Sequence, residues 1–214
     1  MPTKLQTVEE QFSVSTEKLW KEPDAYTSLL KTMSRMYKYS FKDQILIHAQ
    51  RPDATACAEY DTWGREDITN RFVKRGSKGI ALLKEENGKT GIRYVFDFAD
   101  TAPKDARSKT PFFWEISDRN ETAVKKMLDP SAPTLIDAVM NNVNDLVRIE
   151  SEQFIHPLIA EADKTFLYGL DEDTVRKKFE NLLIASAGYS IATSIQIFDR
   201  IFRMKQPFQM IFFS

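Results

Sequence analysis

The stretch YKYSFKDQILIHAQRPDATACAEYDTWGREDITNRFVKRGSKGIALL, residues 37–83, carries the strongest structural signals of this chain. It joins an aromatic-rich helical pattern to a basic segment that glycines interrupt. The basic residues of this segment form the densest positive patch in the sequence, with no acidic residue among them, and are Arg71, Lys74, Arg75, Lys78 and Lys84. Such a patch predicts a surface that binds a polyanion rather than a catalytic centre.

Helical signals come before the basic segment. Pro23 begins a helix whose apolar residues recur at three- and four-residue steps. Ser40 and Asp43 have the spacing of a capping box, so a second, mostly buried helix is predicted to begin at Phe41. Residues 1–22 are predicted to form only one or two short, loosely attached helical turns.

The pattern changes to β-structure at Arg71. Four segments are predicted as strands of one small antiparallel sheet, and they are residues 71–75, 80–83, 92–98 and 112–116. A tight turn at residues 76–79 joins the first two, and Asn87-Gly88 is a strong hairpin signal before the third. Residues 101–111 mix proline with charge and are predicted to be a loop.

Helical patterns dominate the rest of the chain. They cover residues 121–128, 134–148, 173–186 and 191–203. The proline-containing stretch 129–133 predicts a boundary between an α+β domain at residues 1–128 and a helical region at residues 134–214. The sequence therefore predicts an α+β protein in which a small antiparallel sheet packs on N-terminal helices and a mostly helical half follows.

The composition favours a cytoplasmic globular protein. The chain has 214 residues and a formal net charge of −1, so any electrostatic attraction of a charged ligand must come from local patches. The single cysteine, Cys57, excludes an internal disulfide framework, and its small neighbours are typical of a structural thiol. The N-terminus lacks the apolar core of a signal peptide, and the uncharged stretch 181–198 is too polar for a membrane span. We therefore predict no membrane association.

The sequence predicts no catalytic residues, no metal site and no cofactor. His48 and His156 are far apart, and neither belongs to a helix motif with two histidines. The Gly-Ser-Lys-Gly turn at residues 76–79 lacks the length and the strand-to-helix context of a phosphate-binding loop. A hydrolase that uses Glu150, Glu152 and His156 is the weakest alternative.

Charge and backbone access instead favour non-catalytic binding of single-stranded DNA, largely through its phosphates. Arg71, Lys74, Arg75 and Lys78 supply the charge in this hypothesis. Gly76 and Gly79 let the backbone approach the ligand closely. A solvated hairpin edge that charge protects from aggregation is an equally good interpretation of the same residues.

Aromatic and amide side chains complete the hypothesis, because single strands bind where a positive groove meets aromatic faces. The aromatics expected to be exposed for stacking are Tyr39, Tyr60 and Trp63, whereas those expected in the core are Phe41, Phe72 and Phe96. Gln44 and Gln50 either bond to bases or hold the loop in place, and the sequence does not separate the two roles.

An ordered set of residues adds a family resemblance. The set comprises Tyr39-Ser40-Phe41, Gln44-Ile45-Leu46-Ile47, Gln50, Pro52, Ala54-Thr55, Trp63, Val73-x-x-Gly76-x-x-Gly79-Ile80 and Val95-Phe96-Asp97-x-x-Asp100-Thr101. It resembles the N-terminal domain of ArdC-type antirestriction proteins, which also occurs in large proteins of conjugative elements and phages. The resemblance implies single-stranded DNA binding and a role in protecting or handling DNA during transfer.

The chain departs from that family in three respects. Asp43 stands where the family usually has asparagine, and the connection between Trp63 and Val73 is longer than usual. The two-histidine motif of the family's metallopeptidase-like domain is missing from the sequence, so the resemblance implies no peptidase activity.

A protein-interaction module is the alternative function. Residues 150–180 hold eight acidic residues against four basic ones, and residues 208–213 are strongly apolar. Either region is expected to dock on a partner or on other domains of a larger polypeptide.

Overall fold

The computed structural model describes residues 2–111, 116–165 and 167–195. The chain forms two compact units, Met1–Phe113 and Trp114–Ser214. The α+β class is confirmed. The division lies before the helix at residues 121–128, which packs on the helix that follows it, whereas the sequence predicts a boundary at residues 129–133.

The first unit begins with three helices: α1 (Lys4–Lys21), α2 (Pro23–Arg35) and α3 (Phe41–Gln50). Helices α2 and α3 begin at the predicted residues, and the Ser40 hydroxyl accepts a hydrogen bond from the Asp43 N–H at 3.2 Å. The prediction of short, loose turns at residues 1–22 is wrong, because α1 is one helix of 18 residues. A reciprocal capping box between Thr3 and Gln6 starts α1, and Val8 is buried in the core.

Among the described residues of this unit, five strands follow, together with one helical turn, α4 (Tyr60–Gly64). The strands are β1 (Cys57–Glu59), β2 (Arg71–Val73), β3 (Ile80–Glu86), β4 (Lys89–Asp97) and β5 (Thr101–Pro103). The β3–β4 hairpin is confirmed at Asn87 and Gly88, whose positive φ angles of 52° and 71° suit its tight turn.

The strands form two sheets rather than the predicted single sheet. One is antiparallel with the order β1-β4-β3, and the other is the two-stranded ribbon β2-β5. Strand β5 lies in a segment predicted to be a loop, so that prediction is wrong at residues 101–103. Residues 74–79 consequently connect the two sheets and are not the turn of a hairpin.

The core of the first unit lies between the three-stranded sheet and the helices. Its fully buried members include Leu46 and Ile47 of α3, Leu82 of β3 and Val95 of β4. Two aromatics predicted to lie in the core, Phe41 and Phe72, are exposed instead.

The second unit is helical in its described part: α5 (Glu121–Leu128), α6 (Leu135–Glu150), α7 (Glu152–Ala160) and α8 (Glu172–Ser194). Helix α7 was not predicted from the sequence. Helix α8 continues through the predicted break at residues 187–190. Gly188 allows close packing there, since a Cβ atom at this position would lie 2.9 Å from the Met140 sulfur.

Three predictions fall wholly or partly outside the described residues. They concern the strand at residues 112–116, the end of the helix at residues 191–203 and the apolar segment 208–213. Within the described helices, none combines the length and the apolar character that crossing a membrane requires.

Candidate nucleic-acid interface

Four of the five predicted basic residues lie on a feature that we call the basic ribbon, defined as residues 71–79 and 101–104, whereas Lys84 lies in β3. The loop of the ribbon, residues 74–79, is fixed to the 3₁₀ turn Phe98–Asp100. The Lys74 N–H and the Ser77 hydroxyl both donate to the Asp100 carbonyl, at 2.8 and 3.3 Å. The Lys74 ammonium also donates to the Ala99 carbonyl at 2.9 Å. The loop backbone therefore has a defined position.

A buried carboxylate holds the 3₁₀ turn in place. Asp97 is 1 % exposed and accepts backbone hydrogen bonds from Thr55 at 2.6 Å, Ala56 at 3.0 Å and Ala99 at 3.0 Å. Arg51, which follows α3, lies 4.0 Å from this carboxylate and pairs with Asp100 at 2.5 Å. We call Arg51, Asp97 and Asp100 the Asp97 cluster; it ties α3, the start of β1 and the end of β4 together.

The cations of the basic ribbon differ in how they are used. Arg71 donates to the Thr101 hydroxyl at 2.7 Å and lies 4.5 Å from the centre of the Phe98 ring, so it is held within the ribbon. The exposed side chains of Arg75 and Lys78 make no hydrogen bond or ion pair with any described residue. Lys84, which lies outside the ribbon in β3, pairs with Glu86 at 2.9 Å, so its charge is compensated.

The two glycines of the loop are required for different reasons. Gly76 has a φ of +86°, and a Cβ atom there would meet nothing within 4 Å, so the requirement is conformational and the backbone is open to a ligand. At Gly79 a Cβ atom would lie 3.1 Å from the Phe96 ring and 3.2 Å from the Tyr94 ring. Gly79 therefore serves the packing of the sheet.

One of the three predicted stacking residues is exposed. Tyr60 is 59 % exposed, as predicted, and its ring meets the Phe96 ring edge-on at 6.0 Å. The predicted exposure of Trp63 is wrong: the residue is 3 % exposed, because its indole N–H donates to the Phe96 carbonyl at 3.0 Å. Tyr39 is partly buried, and burial raises the pKa of its hydroxyl.

Two of the predicted site residues protect the edges of the three-stranded sheet. The Gln50 amide accepts from the Ala81 N–H at 2.9 Å and donates to the Ala81 carbonyl at 2.8 Å, so it occupies the outer edge of β3. The Tyr39 hydroxyl donates to the Cys57 carbonyl at 2.8 Å on the outer edge of β1. Groups in these positions prevent another strand from adding to the sheet.

The other predicted amide is also engaged inside the protein. Gln44 is buried and donates to the Met36 carbonyl at 3.0 Å. The sequence leaves two roles open for Gln44 and Gln50. In the structure, both side chains bond to the backbone and hold it in place.

Arg93 of β4 compensates the negative charge at Asp43. Its guanidinium donates to the Asp43 carboxylate at 2.7 Å and lies 3.5 Å from Glu59. No local signal in the sequence marks Arg93, because its partner lies 50 residues away in the chain.

Cys57 and His48 are partly buried inside the first unit, whereas His156 of the weakest alternative is exposed. Burial raises the pKa of the Cys57 thiol to about 12, so the thiol is protonated at neutral pH. His48 Nδ1 lies 2.8 Å from the Thr32 hydroxyl, and burial lowers the pKa of the imidazole. Among the described residues no group of three or more histidine, cysteine or carboxylate side chains is arranged to hold a metal ion.

Comparisons with models of protein families, with curated proteins and with solved structures find no match to this chain. The resemblance to ArdC-type antirestriction proteins therefore depends on the quoted residues alone and remains a prediction. Several of those residues, namely Gln44, Gln50, Trp63, Asp97 and Asp100, make hydrogen bonds inside the protein. The resemblance thus concerns residues that maintain the fold more than residues that are available to a ligand.

Proposed function

We propose that the first unit binds single-stranded DNA without catalysis, through the phosphates, at the basic ribbon. The observation that carries this proposal is the loop at residues 74–79. Its backbone is fixed to the 3₁₀ turn, while Arg75 and Lys78 extend from it without a counter-charge among the described residues. A fixed backbone that presents unpaired cations suits a polyanion, because few groups need ordering when phosphates bind.

Access and stacking support the same proposal. The backbone at Gly76 is open, so a sugar-phosphate chain can approach it closely. Tyr60 exposes most of its ring and contacts Phe96, which in turn packs on Gly79 at the end of the loop. An exposed aromatic ring near unpaired cations is typical of single-strand binding sites.

The cellular context that we propose follows from the family resemblance. An ArdC-like domain in a mobile genetic element would bind single-stranded DNA during conjugation and take part in antirestriction in the cytoplasm. Such a domain needs neither a metal nor a cofactor for binding.

The double variant Arg75→Ala/Lys78→Ala tests the proposal, with Lys31→Ala on the exposed side of α2 as the control for charge loss. Fluorescence anisotropy with a labelled single strand of about 20 nucleotides measures the affinity. The double variant is expected to weaken binding for every sequence and to lower the salt slope by about 1.4, at about 0.7 per phosphate contact. Its melting temperature should stay close to that of the wild type, because neither side chain contacts the core.

A wild-type affinity in the double variant would remove the loop from the site. An equal loss of affinity in Lys31→Ala would show that the effect comes from the net charge of the protein and not from the loop, and would also contradict the proposal.

A protein-interaction module remains the second candidate, and α6 supplies the observation that favours it. Leu146 and Ile149 are 59 % and 71 % exposed and lie on one face of the helix, next to Asp145 and Glu150. An apolar face with acidic neighbours suits a basic amphipathic partner. Fluorescence anisotropy with a labelled basic amphipathic peptide tests this face: binding by the wild type that Leu146→Glu abolishes would favour the module.

A further inference from the structure

Phe72 is a large aromatic residue on the surface of the basic ribbon. It is 44 % exposed, although the sequence predicts that it lies in the core. Side chains alternate along a strand, so Phe72 faces away from its β2 neighbours Arg71 and Val73. Arg71 is held on its face by Thr101 and Phe98, which leaves the Phe72 face separate from these contacts.

The neighbours of Phe72 leave its ring accessible. Ala102 is its partner across the ribbon, and a methyl side chain covers little of an aromatic ring. Among the described residues, no aromatic ring or cation stacks on Phe72. The ribbon has only two strands, so nothing within it buries this face.

Two lysines lie just beyond the ends of the two paired strands. Lys74 is the first residue after β2, two positions from Phe72, and Lys104 is the first residue after β5, on the diagonal from Phe72 at roughly 7–8 Å between backbones. The Lys104 ammonium donates to the Gly64 carbonyl at 2.8 Å, as Lys74 does to Ala99. These carbonyls position the two ammonium groups without neutralising them, and each keeps two further donors.

We propose that Phe72 is a base-stacking platform for an unpaired nucleobase of single-stranded nucleic acid, with Lys74 and Lys104 binding the phosphates on either side. This inference rests on the proposed function and extends it to a second face of the basic ribbon. A base inside a duplex is already stacked on both faces, so the platform selects single strands. Any unpaired base fits, because every base has an aromatic face.

Phe72→Leu tests the platform, because leucine keeps an apolar side chain and removes the aromatic face. Phe41→Leu is the matched control, since Phe41 is exposed on α3 outside the ribbon. Phe72→Leu is expected to lower the affinity for a labelled 20-nucleotide strand about tenfold, with an unchanged salt slope because no charge is removed. Phe41→Leu is expected to bind as the wild type does.

A second measurement reports stacking directly. A strand with a single 2-aminopurine loses fluorescence when that base stacks on an aromatic ring. The wild type and Phe72→Trp are expected to quench it, whereas Phe72→Leu, which keeps only the Tyr60 ring, is expected to quench it less.

The outcomes separate the platform from the proposed function. If Arg75→Ala/Lys78→Ala loses binding but Phe72→Leu binds and quenches like the wild type, the platform is overturned and the DNA-binding proposal stands. An equal loss in Phe41→Leu and Phe72→Leu also overturns it. Failure of the wild type to bind any single strand removes the proposed function together with the platform.

Discussion

The Asp97 cluster and the basic ribbon adjoin each other in the first unit but use their polar groups in opposite ways. In the cluster, the Asp97 carboxylate accepts three backbone hydrogen bonds and lies beside the Arg51 guanidinium. In the ribbon, Arg75 and Lys78 have no partner among the described residues. The cluster orders the turn to which the loop of the ribbon is fixed. Saturated polar groups therefore maintain the fold, and the unpaired cations next to them are available to a ligand.

This difference predicts where mutations act. A change in the cluster should lower the stability of the first unit, whereas a change at the exposed end of the ribbon should lower affinity and leave stability alone. A variant that lowers both the stability and the affinity would contradict this division of roles.

The largest expected effect is that of Asp97→Ala. The substitution leaves three backbone N–H groups without their acceptor and leaves Arg51 with one carboxylate fewer in a partly buried site. We expect the free energy of unfolding to fall by about 3 kcal/mol, which urea denaturation measures.

Asp53→Ala is the control for Asp97→Ala. Asp53 also approaches Arg51, at 3.9 Å, but its side chain is exposed to solvent. The change in unfolding free energy there should stay within about 0.5 kcal/mol. Equal losses in the two variants would show that the cluster does not organise the turn.

The sequence predicts the parts of this fold that local signals encode. Pro23, the Ser40 cap and the Asn87-Gly88 turn each act within a few residues, and the elements that they predict are present. Helix α1 also has a local signal, the Thr3–Gln6 capping box, which the sequence analysis overlooked amid polar residues.

The long-range features could not be predicted in the same way. The β2–β5 ribbon pairs residues about 30 positions apart, on either side of the whole β3–β4 hairpin, so no local signal predicts this pairing or the exposure of Phe72. Trp63 lies in the short helix α4, and its burial depends on an indole N–H that donates to the distant strand β4. The local density of basic residues is visible in the sequence. Which of them pair inside the protein and which stay available to a ligand depends on residues that only folding brings close.

A smaller effect on stability is expected at Gly76, because its role in the ribbon depends on its backbone conformation and not on a side chain. Alanine at a φ of +86° is strained, so Gly76→Ala should lower the unfolding free energy by about 1 kcal/mol. Asparagine adopts positive φ more readily, so Gly76→Asn should lose less. Urea denaturation of both variants measures this difference, and an equal loss would contradict a conformational requirement.

The smallest expected effect is a pH dependence from His48, which lies outside the Asp97 cluster and is hydrogen-bonded to the Thr32 hydroxyl at 2.8 Å. Burial, and then the nearby Arg35 charge, lower the pKa of the folded imidazole below its usual value near 6.5. The unfolded chain therefore binds more protons just below that pH, so stability is fully present above about pH 6.5 and falls as the pH decreases towards the folded pKa.

His48→Gln isolates this contribution. The stability difference between pH 7.5 and pH 5.5 should be smaller in the variant than in the wild type, as urea denaturation at the two pH values would report. The same pH dependence in both proteins would assign it to other groups.

Binding of single-stranded and double-stranded DNA across a salt series tests the central claim most directly. Fluorescence anisotropy with a labelled strand of about 20 nucleotides, and with the same sequence as a duplex, gives both affinities. The account predicts that the single strand binds more tightly and that the logarithm of its affinity falls with the logarithm of salt concentration with a slope of about two to three, from three to four phosphate contacts. No binding at low salt, or equal binding of the duplex, would contradict it.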